Sequence, residues 1–92
     1  MNDMGELICK KAIEVYGEEH QVLKAFEEFG ELMAAISQHR DGRCGKKDVV
    51  TEIADVMVMT TQLALIYGYE DVEREVSRKL ERLEKRMKCT RV

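Results

Sequence analysis

The segment from Val49 to Ile66 constrains the fold of this chain most. Its valine, isoleucine, leucine, methionine and alanine residues cover almost the whole circumference of a helix. A helix that is apolar all round belongs in the middle of a bundle or in an interface between subunits. The same segment contains Glu52 and Asp55, which make it a poor transmembrane span. We therefore expect other helices to pack around it.

Glycines at positions 17, 42, 45 and 68 divide the chain into four helical stretches. The apolar periodicity predicts helices over residues 3–16, 18–40, 48–67 and 71–88, with Asp3 as the cap of the first. No strand pattern competes, and the chain contains no proline to break a helix. These features predict a single all-α domain over residues 1–92, folded as an antiparallel four-helix bundle.

The charges divide unevenly along the chain. Residues 1–73 carry 7 basic and 15 acidic side chains, whereas residues 74–92 carry 8 basic and 3 acidic ones. The acidic body argues against binding to nucleic acid. The basic last helix is either a solvated, ion-paired surface or a source of cations for an anionic substrate.

Cysteine usage and the N-terminus indicate the compartment. The chain has three cysteines, none in a C-x-x-C pair, which argues against zinc and favours free thiols in a reducing cytosol. The first residues lack the basic and apolar stretches of a signal peptide. We expect a cytoplasmic protein that does not enter a membrane.

Two carboxylates interrupt the apolar third helix. Glu52 and Asp55 lie about 60° apart on the helical wheel, on a stripe that continues with Met59, Leu63 and Ile66. Desolvating a carboxylate without a partner is unfavourable. A cation, a basic side chain or water at the end of the bundle must compensate for it.

Glu28 and Glu31 lie one turn apart on the second helix, and they can face Glu52 and Asp55 if the two helices pack antiparallel. Carboxylates that converge in this way cannot all stay ionised without a cation. Oxygen ligands favour Mg²⁺, Mn²⁺ or Ca²⁺ over zinc, and Mg²⁺ commonly bridges to phosphates. Taken alone, the glutamates of the second helix also fit a solvated face. A di-iron site normally needs Glu-x-x-His pairs, and neither Glu31 nor Glu52 has histidine three residues later.

The sequence Glu-Glu-Phe-Gly-Glu at 27–31, followed after 20 residues by Glu-Ile-Ala-Asp at 52–55, resembles the E-E-x-x-E … E-x-x-D signature of the MazG-like nucleoside triphosphate pyrophosphohydrolases. The resemblance covers roughly residues 18–88. It implies Mg²⁺-dependent hydrolysis of a nucleoside triphosphate to the monophosphate and pyrophosphate, in housecleaning of the nucleotide pool, with Mn²⁺ as a substitute. It also implies metal ligation by four matching residues, namely Glu28, Glu31, Glu52 and Asp55.

The resemblance extends to catalytic and substrate-binding positions. Glu27 and Glu28 would act in catalysis, although Glu27 either orients water or is simply exposed. The residues matched to substrate binding are His20, Gln21, Lys24, Lys79 and Arg82, with Arg86 as an alternative arginine. His20 and Gln21 would help to form the base pocket, or they simply begin a helix. Leu83 stands where some family members carry an asparagine.

Two other functions are compatible with the same residues. Phosphoribosyl-ATP pyrophosphohydrolases share this fold and metal chemistry, and a non-catalytic helical interaction module could retain the fold. The all-round apolar third helix and the resemblance both predict a homodimer, or a homotetramer built from dimers.

Overall fold

The computed structural model describes residues 1–90, which form four helices and no strand. The helices are α1 (Asp3–Tyr16), α2 (Glu18–Arg40), α3 (Lys46–Tyr67) and α4 (Tyr69–Thr90). The all-α class is confirmed, as are the bounds of α1 and α2. The predicted starts of α3 and α4 are each two residues too late, and α4 also ends two residues beyond the predicted position.

The predicted cap of α1 is wrong by one residue. Asn2 lies outside the helix with an extended backbone, and its Oδ1 accepts a hydrogen bond from the N–H of Gly5 at 2.8 Å. Asp3 is instead the first helical residue. An extended residue whose side-chain oxygen satisfies a free N–H of the first turn is the usual N-cap. The Asp3 carboxylate then lies in the first turn, where it complements the helix dipole.

The helices α2 and α3 pack antiparallel and form the centre of the molecule. A hydrogen bond joins Gln21 to Gln62 at one end, while Glu28 meets Glu52 further along, so positions rise on α2 as they fall on α3. The buried side chains of this region include small ones, namely Ala25 and Ala35 on α2 and Ala64 on α3. Such side chains let helix axes approach closely.

The helix α1 packs across this pair, mainly against α3. Cys9 is buried in that contact, and its Sγ lies 3.8 Å from the carbonyl oxygen of Val58. The three helices together bury few large side chains. Met59, for example, is 5% exposed, whereas Met57 on the same helix is 61% exposed.

The helix α4 leaves the other three. It follows α3 after Gly68, whose φ of 130° is strained for residues with a side chain. Among residues 1–90, its helix packing is against the end of α3, its first residue Tyr69 also interacts with Glu6 of α1, and every residue from Glu70 to Thr90 is exposed. The protomer is therefore a packed group of α1, α2 and α3 with α4 projecting from it, and the four-helix bundle expected from the sequence is incomplete within one chain.

The apolar third helix is only partly covered by the other helices. Val50, Ile53 and Met57 remain between 44% and 61% exposed. By length and composition alone, α3 is also the one helix among residues 1–90 that is long and apolar enough to cross a membrane. The central helix of a soluble protein passes the same test, so this property is weak evidence for a membrane span.

Candidate metal centre

Three glutamates from two helices converge between α2 and α3. Glu28 and Glu31 project from consecutive turns of α2, and Glu52 faces them from α3. Each contributes one carboxylate oxygen to a group in which all oxygens lie within 4.8 Å of one another. The antiparallel packing of the two helices creates this group, because it brings the middle of α2 opposite the first half of α3. We call these three residues the carboxylate cluster.

Two oxygens of the carboxylate cluster are buried and unsatisfied. Glu28 is 9% exposed, and its Oε2 has no hydrogen-bond partner among residues 1–90. The Oε2 of Glu52 is also buried without a partner in this part of the chain. Buried carboxylate oxygens are normally paired, because leaving them unpaired sacrifices their hydration. These two unpaired oxygens would be stabilised by a cation bound between α2 and α3.

Lys24 supplies part of the compensating charge. Its Nζ lies 3.5 Å from Oε1 of Glu28, one helical turn away, and the lysine side chain is 46% exposed. This ion pair satisfies one oxygen of Glu28 and leaves the other free. A single half-exposed ammonium group cannot neutralise three carboxylates.

The electrostatics of Glu28 reflect this imbalance. Burial raises the pKa of the Glu28 carboxyl above its usual value, the negative charges of Glu31 and Asp55 raise it further, and Lys24 opposes the shift. The carboxylate form of Glu28 is therefore disfavoured in the metal-free protein. A divalent cation would reverse the balance by stabilising the ionised form.

The fourth predicted ligand lies at the edge of the cluster. Asp55 is exposed, and it is close enough to raise the pKa of Glu28, but its oxygens are outside the group that meets within 4.8 Å. Glu27 is exposed and also lies outside the cluster. The structure thus brings together three of the four predicted ligands and places Asp55 beside them.

The donor set fits a hard cation. All three groups offer carboxylate oxygens, which Mg²⁺, Mn²⁺ and Ca²⁺ prefer, and there is no nitrogen or sulfur ligand in the cluster. Oxygens separated by up to 4.8 Å can draw together around one ion through small side-chain rotations. The cluster, in which Glu28 is buried, Glu52 is half-buried and Glu31 is exposed, can therefore hold a divalent metal ion.

A cleft of about 330 Å³ adjoins the carboxylate cluster on the side of the α2–α3 connection. Its walls come from α2, from the connection and from the start of α3, and its lining residues are Glu31, Ala34, Ala35, Gln38, Cys44, Asp48 and Glu52. Sequence reasoning missed Gln38, Cys44 and Asp48. The i, i+4 spacing of Asp48 and Glu52 places both on one face of α3 and was the available signal for Asp48.

A second polar group lies at the other end of the α2–α3 contact. Gln21 is 4% exposed and donates from Nε2 to Oε1 of Gln62 at 2.7 Å, while its own Oε1 lies 2.7 Å from Nδ1 of His20. A carboxamide oxygen only accepts, so His20 carries its proton on Nδ1 in this contact. The ring of His20 is exposed and stacks on Tyr16 with centroids 5.6 Å apart.

The side chains of His20 and Gln21, which the resemblance assigned together to a base pocket, lie in different surroundings. The side chain of Gln21 is occupied inside the protein, whereas His20 and Tyr16 present a ring pair to solvent. Sequence reasoning missed Gln62, although a glutamine inside an apolar helix, seven residues after Asp55, was a visible signal.

The two predicted cations of α4 lie on the projecting helix. Lys79 and Arg82 are exposed, and within residues 1–90 no packing contact links α4 to α2. The structure of one chain therefore does not bring these residues to the carboxylate cluster. Lys24 is the predicted substrate-binding cation that does lie against it.

No family model, curated protein or solved structure matches this chain. The resemblance to the MazG-like family therefore stays a prediction that rests on the two acidic motifs.

Proposed function

We propose that this chain is a Mg²⁺-dependent nucleoside triphosphate pyrophosphohydrolase. The observation that carries the proposal is the pair of buried, unsatisfied oxygens on Glu28 and Glu52 inside a cluster of three glutamates. Such a cluster disfavours the folded state unless a cation joins it, and Mg²⁺ held by few carboxylates usually binds phosphates as well. The acidic motifs that supply these residues link the site to pyrophosphohydrolase chemistry.

Glu28, Glu31 and Glu52 would hold the metal ion, with Asp55 close enough to join them. When bound, Mg²⁺ would neutralise phosphate charge and lower the pKa of a water molecule. Hydrolysis adds water across the α–β anhydride bond, which releases the monophosphate and pyrophosphate, and one proton of that water must pass to a base. Mn²⁺ would serve in place of Mg²⁺, because it accepts the same oxygen ligands.

Two glutamates can accept the proton. Glu28 is one of them, because a carboxylate oxygen that does not bind the metal could accept the proton. Glu27 is the neighbouring carboxylate of the same motif, and it is exposed and free to orient water. Lys24, which pairs with Glu28, would offer its ammonium group to a phosphate bound beside the carboxylate cluster.

The test measures pyrophosphate release from the purified full chain with Mg²⁺ or Mn²⁺. The substrates are the ribo- and deoxyribonucleoside triphosphates together with phosphoribosyl-ATP. We expect release from at least one triphosphate, loss of release in Glu52→Gln, and normal release in Glu14→Gln, whose exposed carboxylate lies on α1. Hydrolysis of phosphoribosyl-ATP alone would support the related activity of histidine biosynthesis.

Metal binding is measured separately by calorimetry. Binding of Mg²⁺ by the wild type and its loss in Glu52→Gln would support the metal site even if every tested nucleotide were inert. No release from any substrate with either metal would overturn the proposed activity and favour a non-catalytic module.

A further inference from the structure

Lys24 is the only basic side chain in the parts of α2 and α3 that surround the carboxylate cluster. Residues 18–39 and 48–67 together contain eight acidic side chains and no lysine or arginine except Lys24. The other cations of this helix pair lie at its end, at positions 40, 46 and 47. The charge of Lys24 therefore acts on the cluster almost alone.

The position of Lys24 directs its ammonium group at the cluster. Lys24, Glu28 and Glu31 follow one another at spacings of four and three residues, which places them on one face of α2. The Nζ atom of Lys24 lies 3.5 Å from Oε1 of Glu28, whose side chain is only 12% exposed. Within residues 1–90 this is the one ion pair that includes a residue of the cluster.

A divalent ion bound by Glu28 would meet the charge of Lys24 at close range. Mg²⁺ binds carboxylate oxygens at about 2.0–2.1 Å, so the ion and the ammonium group would share a single carboxylate. This holds for either oxygen of Glu28, since Oε1 carries the ion pair and Oε2 is the unpartnered atom beside it. Two cations on one carboxylate repel each other, so each weakens the binding of the other.

The ammonium group of Lys24 can also leave without any change in the packing of the helices. The lysine side chain is 46% exposed, and its flexible four-carbon stem allows the ammonium group to turn into water, where it is strongly hydrated. An ion pair with one half-exposed partner is weak compared with the binding of a divalent ion by several carboxylates.

We propose that Lys24 is a built-in counter-ion of the carboxylate cluster that competes with the divalent metal ion for Glu28 and so lowers the metal affinity of the site. In the metal-free protein Lys24 stabilises the fold by neutralising part of the cluster. When metal binds, the ammonium group is released and becomes available to an anion beside the metal. The proposal rests on the metal-binding part of the proposed function and not on its hydrolytic chemistry.

Calorimetric titration of the full chain with Mg²⁺ tests the competition. We expect Lys24→Met to lower the dissociation constant of Mg²⁺ at least about fivefold, because the positive charge is removed while the aliphatic stem remains. Lys24→Arg keeps the charge and should not tighten Mg²⁺ binding. Circular dichroism confirms that each variant remains helical.

Lys11→Met is the matched control for the loss of one positive charge. Lys11 forms the same kind of intrahelical ion pair, with Glu14 at 3.9 Å, but it lies on α1 and both side chains are more than 70% exposed. We expect Lys11→Met to change the dissociation constant of Mg²⁺ by less than about twofold, because solvent and salt screen its charge.

Thermal unfolding gives a second measurement that does not depend on activity. Without metal, we expect Lys24→Met to lower the Tm more than Lys11→Met does, because the cluster loses its counter-ion. Saturating Mg²⁺ should then raise the Tm of Lys24→Met more than that of the wild type, since the variant binds the ion more tightly.

The remaining outcomes separate this proposal from the proposed activity. Weaker Mg²⁺ binding by Lys24→Met would show that the lysine positions Glu28 for the metal, and unchanged binding would show a solvated surface charge; either result would overturn the competition. Absence of Mg²⁺ and Mn²⁺ binding in all variants would overturn it together with the metal site. Tighter Mg²⁺ binding by Lys24→Met without pyrophosphate release from any nucleotide would uphold the competition and overturn only the hydrolytic activity.

Discussion

The side chains of Gln21 and Gln62 form a buried hydrogen bond of 2.7 Å that joins the start of α2 to the second half of α3. Each residue is 4% exposed, and Nε2 of Gln62 continues the chain of contacts to the sulfur of Met59 at 3.8 Å. This contact is a buried side-chain hydrogen bond between α2 and α3 and lies within their antiparallel packing. The same antiparallel packing brings Glu52 opposite Glu28 in the carboxylate cluster.

The glutamine pair gives a first prediction about stability. We expect Gln21→Leu or Gln62→Leu alone to lower the free energy of unfolding by about 1–3 kcal/mol, because each leaves a buried amide without its partner. The double variant should lose less than the sum of the two, since leucines of similar size can pack together. Urea denaturation of the four proteins measures the coupling. Gln38→Leu, at an exposed position on α2, is the control and should change stability little. Additive losses in the double variant would contradict a direct interaction.

Glu28 gives a prediction in which stability and metal binding oppose each other. In metal-free protein at pH 7 we expect Glu28→Gln to raise the free energy of unfolding, because it removes a buried negative charge beside Glu31 and Asp55. The same change should weaken Mg²⁺ binding at least about tenfold by removing a ligand. Thermal unfolding with and without Mg²⁺ measures both effects. A lower stability of Glu28→Gln without metal would contradict the predicted strain.

The pH dependence of the stability difference between wild type and Glu28→Gln follows from the direction in which folding shifts the pKa of Glu28. Folding raises the pKa of Glu28 above 4.5, so the folded protein binds this proton more tightly than the unfolded chain. The loss of folding stability caused by the ionised Glu28 carboxylate is therefore absent below pH 4.5 and grows as the pH rises through the pKa of Glu28 in the folded protein. The stability difference between wild type and Glu28→Gln should therefore be small at pH 4 and larger at pH 7. A difference that does not change with pH would exclude ionisation of Glu28 as its cause.

The positions of Asp55 and Glu52 predict unequal contributions to metal affinity. Glu52 belongs to the carboxylate cluster and has a buried free oxygen, whereas Asp55 is exposed at its edge. We expect Asp55→Asn to weaken Mg²⁺ binding by roughly 10–100-fold, as for a group that supports the ligands, and Glu52→Gln to weaken it more. Calorimetric titration compares the two. If Asp55→Asn had no effect on affinity or activity, Asp55 would not belong to the ligand set.

Gly30 gives a prediction about helix stability. It lies inside α2, is exposed, and a Cβ added there would meet no atom within 4 Å. We expect Gly30→Ala to raise the free energy of unfolding by about 0.5–1 kcal/mol, because alanine has the higher helix propensity. Gly17 is the matched control, because its surroundings are equally open but its φ is +91°. Gly17→Ala should fail to stabilise and should lower stability. Destabilisation by Gly30→Ala in the monomer would contradict the open environment.

The periodicity of the sequence was sufficient for the helices but not for every boundary. The stripe of α2 and the glycines at 17 and 68 predicted where α1, α2 and α3 end, because glycine ends helices through its backbone freedom. The start of α3 was placed too late because the lysines before Asp48 carry no apolar signal. The connection in fact ends at Gly45, whose N–H donates a hydrogen bond to Oδ2 of Asp48 with an N–O distance of 3.1 Å.

Part of the candidate site was predictable because its carboxylates interrupt an apolar helical pattern. Glu52 and Asp55 were visible because carboxylates are unfavourable inside an apolar helix. Glu28 and Glu31 became informative only through the expected antiparallel packing. Their i, i+3 spacing cannot show which of the four carboxylates meet, since that depends on the rotation and offset of α3 against α2. Gln62 escaped notice because its importance comes from a single buried contact with Gln21.

Four helices, an acidic body with a basic last helix, and two acidic motifs in apolar surroundings were predictable from the order of the residues alone. These are local properties, set by backbone conformation and by the order of side chains. The packing of the helices was needed to show that Glu28, Glu31 and Glu52 meet while Asp55 stays at the edge, and that α4 projects from the other helices. Both results depend on how helices rotate and pack, which arises from contacts between residues far apart in the chain. The amphipathic pattern of α4 predicts that its apolar face is buried, but only the packing of α1, α2 and α3 reveals that one chain leaves this face uncovered.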